Sequence, residues 1–437
     1  MTTRFQSVLS EHPVVGAVLS LGVKVAGSGV ALVMFALAAR TMDVADFGLL
    51  VIAFNAVSFL AVLAVLGQDT LILRSWGEFF ERSPALARGA VAYGLKVSAL
   101  GAVLAVSGFL GWATAIDGRL ATADLVSVAA FLFTQTLLHY GSSLTRAVRG
   151  VFLSEPNREL TWRLPLMMSL GWALLSGGRT SITSFFAVAA AGQVAALVFQ
   201  SIAVRNGMPA AIRTTTAEYA TGDWTRRSAA MTTAAMAEAA NQYADVVLIG
   251  ALAGPVASAG YFVAARIASV FPMLTSGLHN YSASRIAELY YGGRAHELQR
   301  LLTRVMMLAL ALVGALVAVI VFAGPWLLSL FGEAYRDEFL ILLVLAGVAA
   351  FTTLMGPGSM MMLTMGREKL YLKLVVGALA VRVAALVALV PTMGILGAAI
   401  AVGIAIAPFS ALVAFLCARD TGVDPSALAI VRNRRDP

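Results

Sequence analysis

The sequence predicts an all-α polytopic membrane protein of about 12 transmembrane helices arranged in two six-helix lobes. Three observations carry this. Of 437 residues, 59% are apolar and only 12% charged, about half the charge of a soluble domain. Apolar runs recur along the chain, the mean hydropathy is +0.85, and each run approaches the roughly 20 residues that cross a hydrocarbon layer of about 30 Å. The runs are continuous, without the period of two of a barrel strand, so helices satisfy the backbone where no water can. A soluble enzyme of this size is excluded, because so few charges cannot cover its surface.

Candidate spans run over about 14–39, 47–73, 89–115, 120–145, 160–178, 181–204, 229–252, 257–284, 303–323, 339–365, 370–390 and 394–417. The first is read as an uncleaved helix although Ala36-Leu37-Ala38 has the form of a cleavage site, because the apolar stretch before it exceeds a signal-peptide core and another span follows. The polar segments between spans fix the orientation. With the N-terminus in the cytoplasm, 23 basic residues fall on the cytoplasmic side, among them Arg146, Arg149, Arg158 and Arg163. The opposite side holds only Arg40, Arg119, Arg179 and Arg336. That bias places both termini inside.

The longest polar interruption, 205–228, carries Arg205, Arg213, Glu218, Asp223, Arg226 and Arg227. It divides the chain into an N-terminal lobe 1–204 and a C-terminal lobe 229–417, with a cytoplasmic tail 418–437. A shift of 212 residues aligns Gly48 with Gly260, Arg82 with Arg294, Leu86 with Leu298 and Arg88 with Arg300. Both halves start on the same side, so the repeat is parallel.

Charges inside spans are expensive and therefore functional candidates. Lys24 stands about 15 Å into the first span at 1.5 Å per residue, too deep to reach the interface, and Arg382 is about as deep in the eleventh. Lys96 is close enough to the end of span 3 to snorkel. Asp69, near the end of span 2, is expected at the interface or on a helix end. Glu238, Asn241, Gln242 and Asp245 share one face of span 7 at spacings of 3, 4 and 7. Asp245 and Arg266 are nearly equidistant from the turn at Gly254-Pro255, which leaves open a structural ion pair or one that breaks during a cycle. Glu238 has no basic residue at its depth in span 8 and is a candidate for ion coupling. Gly22, Gly27 and Gly29 allow close approach to span 1. Gly356-Pro357-Gly358 should break span 10, Pro272 and Pro408 should bend spans 8 and 12, and the run Met360, Met361, Met362 and Met365 reads as packing.

The remaining chemistry is sparse. One cysteine, Cys417, excludes disulfide frameworks and cysteine metal sites. The four histidines are dispersed, and no HExxH, GxSxG, P-loop or CxxC occurs. No enzyme active site and no cofactor are expected. The basic residues form no aromatic-basic stripe, so nucleic acid is not an expected partner.

Ala39-Arg40-Thr41-Met42 followed by Asp46-Phe47-Gly48 resembles the signature after the first helix of polysaccharide transporters, the O-antigen and lipid-linked oligosaccharide flippases of the MATE-like MOP superfamily. Asn241-Gln242-Tyr243-Ala244-Asp245, Ala253-Gly254-Pro255, Gly260-Tyr261 and Ala264-Ala265-Arg266 resemble that family's seventh and eighth helices. Pro325 to Gly332, Gly356-Pro357, Met365-Gly366-Arg367-Glu368 and Pro391 to Ala399 are similar to its helices nine to twelve. Ser154-Glu155-Pro156-Asn157 departs from the family's usual spacer.

The resemblance implies a MATE-like alternating-access flippase that moves a polyprenyl-diphosphate-linked oligosaccharide across the bacterial inner membrane for surface polysaccharide biosynthesis, including lipopolysaccharide O-antigen. It implies the lipid-linked substrate, the bilayer, and a polysaccharide polymerase or glycosyltransferases as partners. Lys24, Arg266 and Arg382 would be the cavity cations for the diphosphate, and Glu238, Asn241, Gln242 and Asp245 the coupling or gating set. The competing readings are a MATE-type drug or cation exporter, against which Lys24 in span 1 argues, and a non-transporting scaffold of a glycan assembly complex.

Overall fold

The computed structural model describes residues 13–113 and 121–432, and their side chains except those of 13–21, 23–25, 274–284 and 431–432. The described residues form helices and no strand. Seven of the helical segments are long and apolar enough to cross a membrane. The chain divides into two compact units, 1–247 and 248–437.

In the first unit α1 spans Pro13–Thr41, α2 Val44–Ala64, α3 Gln68–Phe79, α4 Pro84–Trp112, α5 Thr122–Arg149, α6 Val151–Glu159, α7 Arg163–Leu175 and α8 Ile182–Gly207. Local chemistry sets the ends. Ser83 caps α4 and Pro84 opens it, while the Ser181 side chain accepts from the Ser184 backbone at 3.1 Å to start α8. Span 2 is broken where Leu66 and Gly67 both turn left-handed, at φ 52° and 68°. A non-glycine residue in that region is strained, and the break separates α2 from the amphipathic α3. Span 5 is longer than its apolar run suggests. Gly150, at φ 85°, reverses the chain directly from α5 into α6, so that the polar stretch 151–159 is a packed helix and not a loop.

The expected linker is also packed. After a short α9 (Ala210–Thr214), the chain runs extended and enters α10 (Thr221–Ala253). Arg88 donates to the carbonyl of Thr215, the Glu218 backbone donates to Ala85 at 3.1 Å, and Tyr93 bonds Thr225 at 2.8 Å. Trp224 is fully buried against Leu71, Ala90 and Tyr140. The Lys96 ammonium lies 5.5 Å from the ring of Tyr219, a cation–π contact at the place where snorkelling was expected. Arg227 bridges Glu78 at 2.8 Å and Asp223 at 2.7 Å; the hydrogen bond it donates to Glu78 raises its pKa above the ordinary arginine value.

In the second unit α11 spans Pro255–Ala268, α12 Val270–Tyr291, α13 Ala295–Ser329, a 3-10 turn Glu333–Glu338, α14 Phe339–Leu354, α15 Gly358–Thr364 and α16 Glu368–Thr421. The last is two helices joined at Gly394, whose φ of 60° and ψ of −143° are non-helical. Gly356, at φ 77°, makes the expected break between α14 and α15. Span 9 extends beyond its expected end, with Pro325 inside α13, which continues to Ser329. Cys417, Met361 and Met362 are buried with Leu298, Leu302 and Val413 in one apolar cluster. Between α12 and α13, Arg285 and Arg294 both donate to Glu288, and these bonds hold its carboxyl below the ordinary glutamate range.

The described part of the segment expected as a cytoplasmic tail is hydrogen-bonded to α13 and α14. Gln299 donates to the Asp424 carbonyl at 2.9 Å and accepts from its N–H at 2.7 Å, and Ala427 donates to Leu354 at 2.8 Å before α17 (Leu428–Arg432). Element starts at 44, 84, 122 and 182 in the first unit reappear at 255, 295, 333 and 394 in the second, with 394 at the break of α16. The offsets are 211 or 212 residues, so the expected repeat is present in the elements. Each unit also contains a strap hydrogen-bonded to one of its long helices, α4 or α13.

Glycine allows these approaches. A methyl group on Gly89 would overlap the Glu218 carbonyl, and one on Gly101 the Ala64 carbonyl, whereas Gly29 faces open space. Gly89→Ala and Gly101→Ala should each destabilise the protein by about 1–3 kcal/mol, the usual cost of overpacking. Gly29→Ala should be neutral. Thermal unfolding of the three purified variants in detergent checks this.

Candidate functional site

A polar cluster sits inside the first unit where α6 passes between α1, α5 and α8. Ser154 donates to the Ser142 carbonyl on α5 at 2.6 Å, and Asn157 donates to the Ala196 carbonyl on α8 at 3.1 Å. Both are buried, as is Glu155, whose carboxylate lies 3.8 Å from Arg146. A helix this polar survives in the interior because its groups are paired with neighbouring helices. Two residues on, Glu159 packs its side chain against Gly27 of α1, where a methyl group would stand 3.2 Å from it. Of the three glycines expected to admit a neighbour on span 1, Gly27 does so, and Gly22 and Gly29 do not.

Glu159 is the centre of an ionic triad. Arg163, one turn on, bonds both its carboxylate and its backbone carbonyl, and Arg158 approaches at 3.4 Å. The Arg163 guanidinium also lies 4.7 Å from the Trp162 ring, and the Trp162 indole donates to the Arg158 carbonyl at 3.0 Å. Side-chain exposure is 15% for Arg163 and 21% for Glu159 but 40% for Arg158. Arg158 is therefore the member that can meet a ligand. It is also within electrostatic reach of Asp69 and His139. His139 in turn contacts Gln135 at 3.3 Å, which accepts from the buried Gln193. Asp69 sits at the start of α3 and accepts the N–H of Thr70 at 2.8 Å, the helix-end position expected for it.

Arg158 and Arg163, expected in a cytoplasmic loop, lie at the end of α6 and the start of α7, with the Arg163 side chain 15% exposed. The residues missed by sequence reasoning are Arg158, Glu159, Arg163 and His139. The signal available was the Glu159/Arg163 spacing of four, which pairs side chains only on a helix.

An aromatic cluster continues from Trp162 into the unit. Phe35 meets Phe54 at 5.1 Å between ring centroids, and Phe131 meets Phe186 at 5.3 Å and Trp162 at 5.7 Å. Above these rings the Arg40-to-Gly48 signature has a structural task. Thr180 donates to the Thr41 carbonyl at 2.9 Å, Arg179 bridges Asp43 at 2.7 Å, and Phe47 and Gly48 are buried.

The other sequence-derived candidates are distributed between the units. Lys24 is on α1, and its side chain lies outside the described residues. On α10, Asp245 is buried, while Glu238, Asn241 and Gln242 are exposed, so one helix face carries both kinds of environment. In the second unit Arg266 on α11 is half-buried, and Arg382 on α16 is 7% exposed. Among the described residues no group of three metal-ligating side chains comes together.

No family model matches the chain, and no curated protein sequence does. Solved structures do match. The inward-facing conformation of a multidrug resistance MATE family transporter of the MOP superfamily superposes with a TM-score of 0.72 at 15% identity, over 93% of this chain and 98% of its own. The outward-facing conformation of a multidrug resistance MATE family transporter gives 0.60 at 14% identity, over 92% and 93%. A MOP superfamily transporter from Pyrococcus furiosus, for which reverse polarity of the binding pocket suggests a different function, gives 0.61 at 14% identity, over 92% and 94%. The chain is thus a multi-pass membrane protein with the all-α fold of the MATE transporters of the MOP superfamily.

Neutralising Glu159 tests the triad. Glu159→Gln leaves two guanidiniums facing each other in a partly buried site and should cost about 3 kcal/mol. Adding Arg163→Leu should recover part of that loss. Unfolding of the single and double variants in detergent reads the difference.

Proposed function

We propose that this protein is an alternating-access flippase that carries a polyprenyl-diphosphate-linked oligosaccharide across the bacterial inner membrane for surface polysaccharide biosynthesis, without covalent chemistry. The observation that carries the reading is the presence of guanidinium groups inside the helical units, Arg382 at 7% exposure on α16 and Arg158 half-exposed on α6. Cations within a bundle need an anionic counterpart or water, and a diphosphate crossing the bilayer needs cations. Lys24 and Arg266 would complete the set, with Asp245 and the exposed face of Glu238, Asn241 and Gln242 serving coupling or gating. That a neighbour of this fold is described with a binding pocket of reverse polarity supports the fold's capacity for cargo of either charge. Both termini would be cytoplasmic, and a polymerase or glycosyltransferases would act on the cargo before and after transfer.

A second reading, export of drugs or organic cations, is favoured by the description of two neighbours as multidrug resistance transporters and by the acids Asp69 and Glu159 in the first unit. Against it, Glu159 is committed to two arginines. Deleting the gene separates the two. The flippase reading expects a complete lipid-linked glycan to accumulate, detected by mass analysis, and to stay inaccessible to an impermeant sugar-modifying reagent. Normal surface glycan with raised drug susceptibility would establish the exporter. In the complemented strain, Arg382→Ala and Lys24→Ala should lower flipping about tenfold, equivalent to about 1.4 kcal/mol, at unchanged abundance. Arg382→Lys should retain more activity, and Asp245→Asn should lower abundance as well.

A further inference from the structure

The end of the first unit that is poor in basic residues holds a cavity of about 240 Å³ lined by Arg40, Thr41, Met42, Asp43, Leu174, Gly177, Gly178 and Arg179. That is several times the roughly 30 Å³ share of one water. The sequence assigns only four basic residues to this side of the membrane, three of them in the first unit, and two of those line this cavity. They come from different turns, Arg40 from the end of α1 and Arg179 from the turn after α7. The turns are tied together by the Thr180 to Thr41 backbone bond and the Arg179 to Asp43 bridge. The charged lining is thus two guanidiniums and one carboxylate, a net positive site. Arg179 has five N–H donors, and its bridge to Asp43 engages Nη1, so its planar fork can serve a second acceptor.

Below the cavity, the outer face of α7 is a single apolar stripe. Leu164, Met168, Trp172 and Leu175, at spacings of 4, 4 and 3, are 50%, 75%, 74% and 86% exposed. Those spacings put them on one helix face. From Leu164 to Leu175 the rise is about 16 Å, close to half of a hydrocarbon layer of about 30 Å. An exposed apolar stripe about as long as one leaflet is deep thus leads, within two residues, to the cationic cavity.

We infer that this cavity is a headgroup site for an anionic phospholipid, whose phosphodiester is held by Arg40 and Arg179 while its acyl chains lie along Leu164, Met168, Trp172 and Leu175. Asp43 competes with the phosphodiester for Arg179 and sets the strength of the site. The inference rests on the membrane-spanning fold and does not depend on the cargo. It gives the Arg40-to-Asp43 segment a ligand as well as a fold role, and it locates a lipid on the unit that carries the ionic triad.

Native mass spectrometry of the full chain in detergent, titrated with phosphatidylglycerol or phosphatidylcholine, tests this without any transport assay. The wild type should retain phosphatidylglycerol about tenfold more strongly than Arg40→Ala/Arg179→Ala, with no difference between the two for phosphatidylcholine. Asp43→Asn should strengthen retention, and it decides the matter if the double variant does not fold. Inorganic phosphate at the lipid's concentration should not displace the lipid. Equal phosphatidylglycerol retention in wild type and double variant, weaker or unchanged retention in Asp43→Asn, or equal retention of the two lipids overturns the site. Displacement by inorganic phosphate overturns the lipid and points to a soluble anion. Because no cargo is involved, failure here leaves the flippase reading untouched, and failure of that reading leaves this one standing.

Discussion

A hydrocarbon layer offers no hydrogen-bond partner, and most of this structure follows from that. Helices satisfy the backbone within each segment. Polar side chains must then find partners on neighbouring helices, and the first unit is organised around that demand. Ser154 and Asn157 use carbonyls of α5 and α8, and Gln135, Gln193 and Thr134 bond one another across the same pair of helices. Glu159 sits between two arginines. Such pairing is not itself a large source of stability, because desolvation offsets much of the Coulomb gain. It does restrict which helix lies beside which, since a shifted register would leave charges unpaired.

The same constraint explains the glycines. Where carbonyls of one segment approach another helix, the helix surface must be flat. Gly89 accommodates the Glu218 carbonyl, Gly101 that of Ala64, and Gly356 that of Pro425. Two of these three, Gly89 and Gly356, receive a strap, one in each unit. The straps are where the internal repeat is most informative, because the residues that form them differ. Arg88 receives the first through its guanidinium and Ala85 through its backbone carbonyl, and Gln299 receives the second through its amide. The geometry is repeated with different side chains, as expected when the conserved requirement is to satisfy an extended segment's backbone.

Legibility in the sequence divides along the same line. The spans were readable because length and continuous apolarity are properties of one segment, and so were the breaks at Gly254, Gly356 and Gly394, where a positive φ favours glycine. The ionic triad was not. Ser154-Glu155-Pro156-Asn157-Arg158-Glu159 has the composition of a loop, and only its partners on α1, α5 and α8 make it a helix. The straps were hidden for a related reason, since backbone hydrogen bonds leave no side-chain signature in the segment that makes them. Lys96 illustrates the intermediate case. Its place near a span end was evident, but its cation–π partner, Tyr219, lies more than a hundred positions away.

Charge placement connects these points to the proposed transport. In the second unit Arg382 is enclosed, whereas in the first Arg158 is the exposed arm of a triad whose other members neutralise each other. A guanidinium in that situation is oriented by a carboxylate that also limits its affinity for other anions. For the proposed flippase that limit is useful, because a site that bound a diphosphate with every donor uncompensated would release it slowly. Arg179 with Asp43 repeats the arrangement at the opposite end of the unit. Arginine–carboxylate pairs, each able to yield a donor to a phosphate, fit the proposed passage of an anionic cargo that is bound without being trapped.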